Sequence, residues 1–246
     1  AGQPFNLEPW QKAIVANIFG WVRLDRYGRW VRRYKEVFIL IARKNGKSPL
    51  AAGIAILAFF LDEMKGKQCY LAAADREQAS VVFRHCKGMV ENTDVLSSRC
   101  KIYGGGGSNF QNRSIVQEDE NSFLRVISAD ADSKHGGNTH LAVIDELHVQ
   151  PNRDLVDVLT TSTASVNVPQ TLVVYLTTSD YERVSICNEK HDIARKVRDG
   201  KVSDPAFLPV IYEILPDEDW TDPKIWPKAN PNIGVSVSEE YLEREC

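Results

Sequence analysis

The chain has 246 residues, with 30 Lys and Arg against 33 Asp and Glu, which gives a net charge of −3. That balance excludes a globally basic nucleic-acid coat, and 43% hydrophobic with 26% charged residues excludes wholesale disorder and a collagen-like chain. No apolar run reaches bilayer length, because the best candidate, residues 50–61, is interrupted by Gly53 and stopped by Asp62 and Glu63.

Apolar residues at Trp10, Ala13, Ile14 and Ile18 predict a short amphipathic helix over 8–19, with Gly20 as its stop. Residues 21–35 read as a hairpin turning near Tyr27 and Gly28. It holds six basic residues (Arg23, Arg26, Arg29, Arg32, Arg33, Lys35) among Trp21, Tyr27, Trp30 and Tyr34. That mixture suits a nucleic-acid backbone or an acidic partner, and equally a solvated hairpin whose aromatics pack on the core.

A continuous apolar strand over 36–42 leads into Arg43-Lys44-Asn45-Gly46-Lys47-Ser48 and then a helix over 49–64. A second strand over 68–74 is followed by Asp75-Arg76-Glu77-Gln78, a capping-box pattern, and a helix to about residue 91. The alternation predicts an α/β fold with a mostly parallel sheet flanked by helices. The glycine tract 104–107 reads as a loop without chemistry. Further strands are expected at 123–129, 141–145 and 171–178, and helices at 153–163 and 181–199, the last with a basic second half. After Gly200, prolines and acids accumulate, which predicts a core domain over 1–200 and a small lid or linker subdomain over 201–246.

Residues 41–48 match the end of the phosphate-loop pattern G-x-x-x-x-G-K-[ST], with Ile41 where the first glycine would stand. A strand–loop–helix context aims backbone N–H groups and the positive helix end at a phosphate, with Lys47 on the β- and γ-phosphates and Ser48 on Mg²⁺. Residues 141–146 add a buried strand delivering Asp145 and Glu146 at its C-terminal end, where open α/β sheets bind ligands. Asp145 would hold Mg²⁺ and Glu146 would act as general base. As a plain structural alternative, the two acids cap the next helix. Together the motifs predict Mg-ATP hydrolysis, with ATP and Mg²⁺ as cofactors.

The chain resembles the large terminase subunit of tailed bacteriophages. The resemblance rests on Phe5-x-Leu7-x-Pro9-Trp10-Gln11, on I-A-R-K-N-G-K-S at 41–48, on A-A-A-D-R-E-Q-A at 72–79, on I-D-E-L-H at 144–148 and on W-P-K-A-N-P-N-I-G at 226–234. It implies a P-loop ATPase of the additional-strand, catalytic-Glu type with a small lid, and a C-terminal nuclease domain that these residues do not contain. It implies that Gln11 reads the adenine edge, that Arg43 contacts or senses the γ-phosphate, and that Thr177-Thr178-Ser179 couples hydrolysis to movement. A basic residue acting in trans falls at Lys134, with Arg125 and Arg153 as other candidates, while His148 packs or hydrogen-bonds locally. The implied partners are double-stranded DNA, a portal protein, a small terminase subunit and further copies in a ring on the portal, in the host-cell cytoplasm and without a membrane.

Two other functions remain open on sequence: a DExH-type helicase, for which 246 residues leave no room for the second domain, and a docking module that binds nucleotide without turnover. The five cysteines (Cys69, Cys86, Cys100, Cys187, Cys246) form no C-x-x-C pair, which predicts a reducing compartment. The helix-like run 243–246 at the end predicts a fragment of something longer.

Overall fold

Strands buried on both faces need helices on both sides, and the chain supplies them in alternation. A computed structural model describes residues 5–104, 113–128 and 137–246. The elements run α1 (Pro9–Gly20), β1 (Val22–Leu24), β2 (Trp30–Arg32), β3 (Glu36–Leu40), α2 (Lys47–Leu61), β4 (Gln68–Ala73), α3 (Arg76–Glu91) and α4 (Asp94–Ser97). They continue with β5 (Lys101–Tyr103), β6 (Ser114–Gln117), β7 (Ser122–Ser128), β8 (Thr139–Ile144), α5 (Asp154–Thr161), β9 (Leu172–Thr177), α6 (Ile186–Arg198), β10 (Phe207–Ile211) and α7 (Glu239–Glu245).

The main sheet has the order β10-β3-β9-β8-β4-β7-β6-β5. Its first six strands are parallel, and β6 and β5 add an antiparallel edge. Successive residues of β3 feed opposite faces: Val37 and Ile39 pack with α2 and α3, while Phe38 and Leu40 pack with α5 and α6. The same alternation in β8 and β9 puts a separate apolar cluster on each face. Helix α2 lies deepest, with ten of its fifteen residues buried, which is why its sequence is apolar almost all round.

β9 lies between β3 and β8. The phosphate-loop strand and the acidic strand are thus neighbours at one remove, as the additional-strand arrangement expected from sequence requires. The hairpin forms with Val22 opposite Arg32 and Leu24 opposite Trp30, outside the main sheet. At the end of α2 remote from the loop, Asp62 receives Arg32 Nη2 (2.9 Å) and lies 2.8 Å from His140 Nε2, which ties β2, α2 and β8 together.

The structure adds three strands and moves one helix start. The short antiparallel strands β5 and β6 enclose the glycine tract, most of which lies outside the described residues. β10 adds a parallel edge strand beside β3 past residue 200, and its Pro209 sits where an edge strand tolerates a missing N–H. Helix α6 begins at Ile186 instead of 181, because Asp180 receives Tyr181 N and Ser185 Oγ, and Ser185 then caps the helix by accepting from Asn188 N. Among the described residues, no helix is long and apolar enough to cross a membrane.

Candidate functional site

The turn from β3 into α2 is made without the first glycine of the pattern. Ile41 is buried and its N–H donates to Thr177 O (3.1 Å), so it prolongs the pairing of β3 with β9. The reversal comes later, at Lys44 (φ 68°) and Gly46 (φ 78°). Gly46 takes the left-handed conformation at no steric cost, whereas Lys44 pays about 1–2 kcal/mol for it.

Polar side chains from both ends of the chain hold this loop. Asn45 is fully buried; its Nδ2 donates to Ala42 O (3.2 Å), Arg43 O (3.2 Å) and Asn230 Oδ1 (3.0 Å), and its Oδ1 accepts from Asn232 N (3.0 Å). Asn232 accepts from Trp10 Nε1 (3.1 Å) and donates to Ser236 Oγ (2.7 Å), which donates to Lys44 O (2.6 Å). Gln11 is buried beneath the loop, with Oε1 accepting from Glu8 N (2.9 Å) and Nε2 facing Gly46. This clamp went unread in the sequence, where 226–234 served only as a resemblance. A pair of asparagines flanking a proline was the one available signal, and nothing in it names Asn45, 185 positions away from Asn230.

Lys47 is buried in the first turn of α2, and its Nζ donates to Ile41 O (3.0 Å) and Ala42 O (3.2 Å). Burial holds its pKa below the usual lysine value, while the Glu146 and Asp145 charges pull the other way. Asp145 continues the β8 edge by donating N–H to Ala72 O (2.8 Å), and its Oδ1 accepts from Glu146 N (3.0 Å). Burial first, and then the adjacent Glu146 charge, push the Asp145 carboxyl up to about 6. Glu146 adopts a left-handed backbone (φ 51°, ψ 53°), a strained conformation of the kind that collects at working sites.

Glu146 Oε2 is buried without a hydrogen bond among the described residues, 3.2 Å from His148 Nδ1. That same Nδ1 lies 3.2 Å from Thr177 Oγ1, which also accepts from His148 N (3.3 Å). Burial lowers the imidazole pKa, while the Glu146 and Asp180 charges oppose the shift. His148 hydrogen-bonds Thr177 and so joins the carboxylate pair to the end of β9. Arg183 adds a second tie by donating to His148 O.

The other expected residues are placed less centrally. Arg43 and Lys44 are exposed on a cleft of about 990 Å³ that Thr178, Ser179, Asn230 and Tyr241 also line, a size suited to a small organic ligand. Thr177 is fully buried and Thr178 nearly so, leaving Ser179 exposed. Arg125 stacks over Tyr70 and Phe123 on β7, and Arg153 is paired with Asp157 and Glu189. Lys134 lies outside the described residues.

The donor set fits a magnesium ion. Ser48 offers a hydroxyl and Asp145 a carboxylate, the hard oxygen donors that this ion takes. A stability prediction follows. With its folded pKa near 6 against an ordinary 3.8, charged Asp145 is disfavoured by folding; the penalty is full above pH 6 and fades as pH falls toward 3.8. Asp145→Asn keeps the bond from Glu146 N and is expected to stabilise the ligand-free chain by about 1–3 kcal/mol at neutral pH. Urea unfolding at about pH 7.5 and about pH 4.5 checks it; a gain as large at the lower pH would overturn the electrostatic cause.

Comparison with known proteins adds a family. The family model described as "Terminase large subunit, ATPase domain" matches residues 9–196. The terminase large subunit of Enterobacteria phage HK97 is 28% identical over 250 residues, covering 100% of this chain and 45% of that protein. That of Lactococcus phage p2 is 24% identical over 245 residues, covering 96% of this chain and 43% of its own length. The crystal structure of the HK97 large terminase matches with a TM-score of 0.80 and 26% identity, over 99% of this chain and 47% of that one. The chain thus spans less than half the length of these relatives.

Proposed function

The chain belongs to the terminase large-subunit family and carries its ATPase domain, and from that premise we propose that it hydrolyses Mg-ATP to drive double-stranded DNA into a viral procapsid. The observation that carries this reading is the convergence, at the C-terminal end of the parallel sheet, of the buried Lys47 ammonium with the Asp145–Glu146 pair.

Lys47, now resting on two backbone carbonyls, turns to the β- and γ-phosphates when the triphosphate enters, and the N–H groups at the start of α2 take further phosphate oxygens. Ser48 and Asp145 hold magnesium, which when bound neutralises charge developing on the phosphates. Glu146 accepts the proton of the water that attacks the γ-phosphorus as the bond to the bridging oxygen breaks. Arg43 reaches the γ-phosphate from the exposed side of the loop. Gln11 contributes from beneath the loop, its amide oriented by Glu8. His148 and Thr177 pass the change at Glu146 to Thr178 and Ser179 at the mouth of α6.

In this reading the chain works in the host cytoplasm as one copy of a ring on a portal protein, served by a small terminase subunit, with a neighbour's basic residue, Lys134 the candidate, completing the site. ATP turnover per chain is expected to climb as protein concentration rises. Turnover absent at every concentration would replace hydrolysis by simple nucleotide holding.

A further inference from the structure

The structure separates the two basic segments of the chain by what their charges already touch. On α6 and just after it, each cation has an acid: Lys190 meets Glu36 (2.7 Å), Arg195 and Arg198 share Glu213 (2.6 and 2.8 Å), Lys196 meets Asp192 (2.5 Å) and Lys201 meets Asp199 (3.7 Å). That surface is neutralised internally.

The hairpin is not. Arg29 is paired with Asp25 (2.8 Å) and Arg32 is buried on Asp62. Among the described residues, Arg23 and Arg26 have no carboxylate partner; Arg33 and Lys35 bond only the carbonyls of Pro205 and Pro169. Arg23 pairs across the hairpin with Val31, and both face a hollow of about 440 Å³ closed on its other side by Val166, Val168 and Pro169. Arg26, Arg29, Lys35 and Tyr27 also line it, together with one carboxylate, Asp25, which Arg29 engages. The Lys35 ammonium is driven down to about 8, by burial first and then by Arg32 and Arg23. Positive charge therefore accumulates in a concave, partly desolvated site on a chain that is acidic overall, where fields are focused.

We propose that the hollow between the β1–β2 hairpin and residues 163–171 binds the phosphate backbone of a nucleic acid, through Arg23, Arg26 and Lys35, with Tyr27 beside the strand. Arg26 stacks over Tyr27 (4.9 Å), which holds its guanidinium plane ready for phosphate oxygens, while Arg29, on the same ring (5.1 Å), is engaged by Asp25 and Val166 O. An acidic protein surface is the rival occupant, but four cations line one hollow against a single carboxylate that Arg29 already holds, a net charge that suits the dense negative charge of a phosphate backbone. The inference rests on the proposed function only for the source of the polyanion, DNA undergoing packaging.

The test is fluorescence anisotropy of a labelled 20–30 base-pair duplex, titrated with the chain at several salt concentrations. Arg23→Ala with Arg26→Ala is expected to weaken binding about tenfold or more at low salt and to lower the log–log salt slope by about 2, since each lost phosphate contact removes roughly one unit. Lys196→Ala, at an exposed pair on α6, is expected to leave both unchanged. Basal ATP turnover of every variant should match the parent, which keeps failure here separate from failure of the ATPase reading. Unchanged duplex affinity in the double variant would overturn the proposal in favour of a protein partner, and an equal loss in Lys196→Ala would overturn it by showing that only net charge matters.

Discussion

Glu146→Gln is expected to lower ATP turnover by about 10²- to 10⁴-fold while nucleotide affinity stays near the parental value. The amide has the shape of the carboxylate, so the left-handed backbone and the approach to His148 Nδ1 at 3.2 Å survive. It cannot take a proton at neutral pH, and the attacking water keeps both of its own. Single-turnover hydrolysis beside a nucleotide-binding titration separates the two effects. Hydrolysis at the parental rate would remove Glu146 from the reaction, leaving the orphaned Oε2 as a feature of folding alone.

Lys47→Ala is expected to abolish turnover and to weaken triphosphate binding by at least tenfold, because no other ammonium lies at the first turn of α2 among the described residues. Folding should survive. The buried ammonium carries a desolvation cost that lowers its pKa, and alanine removes that cost together with the bonds to Ile41 O and Ala42 O. Lys47→Arg is the sharper control, since a guanidinium keeps the charge but is too broad for a pocket enclosed by those carbonyls. Full turnover in either variant, with a normal melting transition, would mean that the phosphates bind elsewhere.

What could be read beforehand follows the range of the interactions. The loop from Arg43 to Ser48 and the strand ending at Asp145 were legible because each is written in one short segment with its own strand and helix signals. Their meeting was legible only through topology, since β9 separates β3 from β8. The true start of α6 was hidden by Asp180 and Ser185, whose side chains hold residues 180–185 off the helix although their composition allows one. β10 was masked by its Pro209 and the prolines around it, which an edge strand tolerates. His148 stood next to the acids in sequence, but its bond to Thr177 belongs to the fold.

The asparagine clamp also has a mechanical side. Four hydrogen bonds through Asn45, Asn230, Asn232 and Ser236, with Trp10 bracing Asn232, make the nucleotide loop and the 229–236 turn a single strut. A loop that shifts to wrap a triphosphate cannot slide past that turn; it drags it, together with α7 a few residues beyond. Stiffness of this kind carries a displacement at the loop into the 229–236 turn and toward α7.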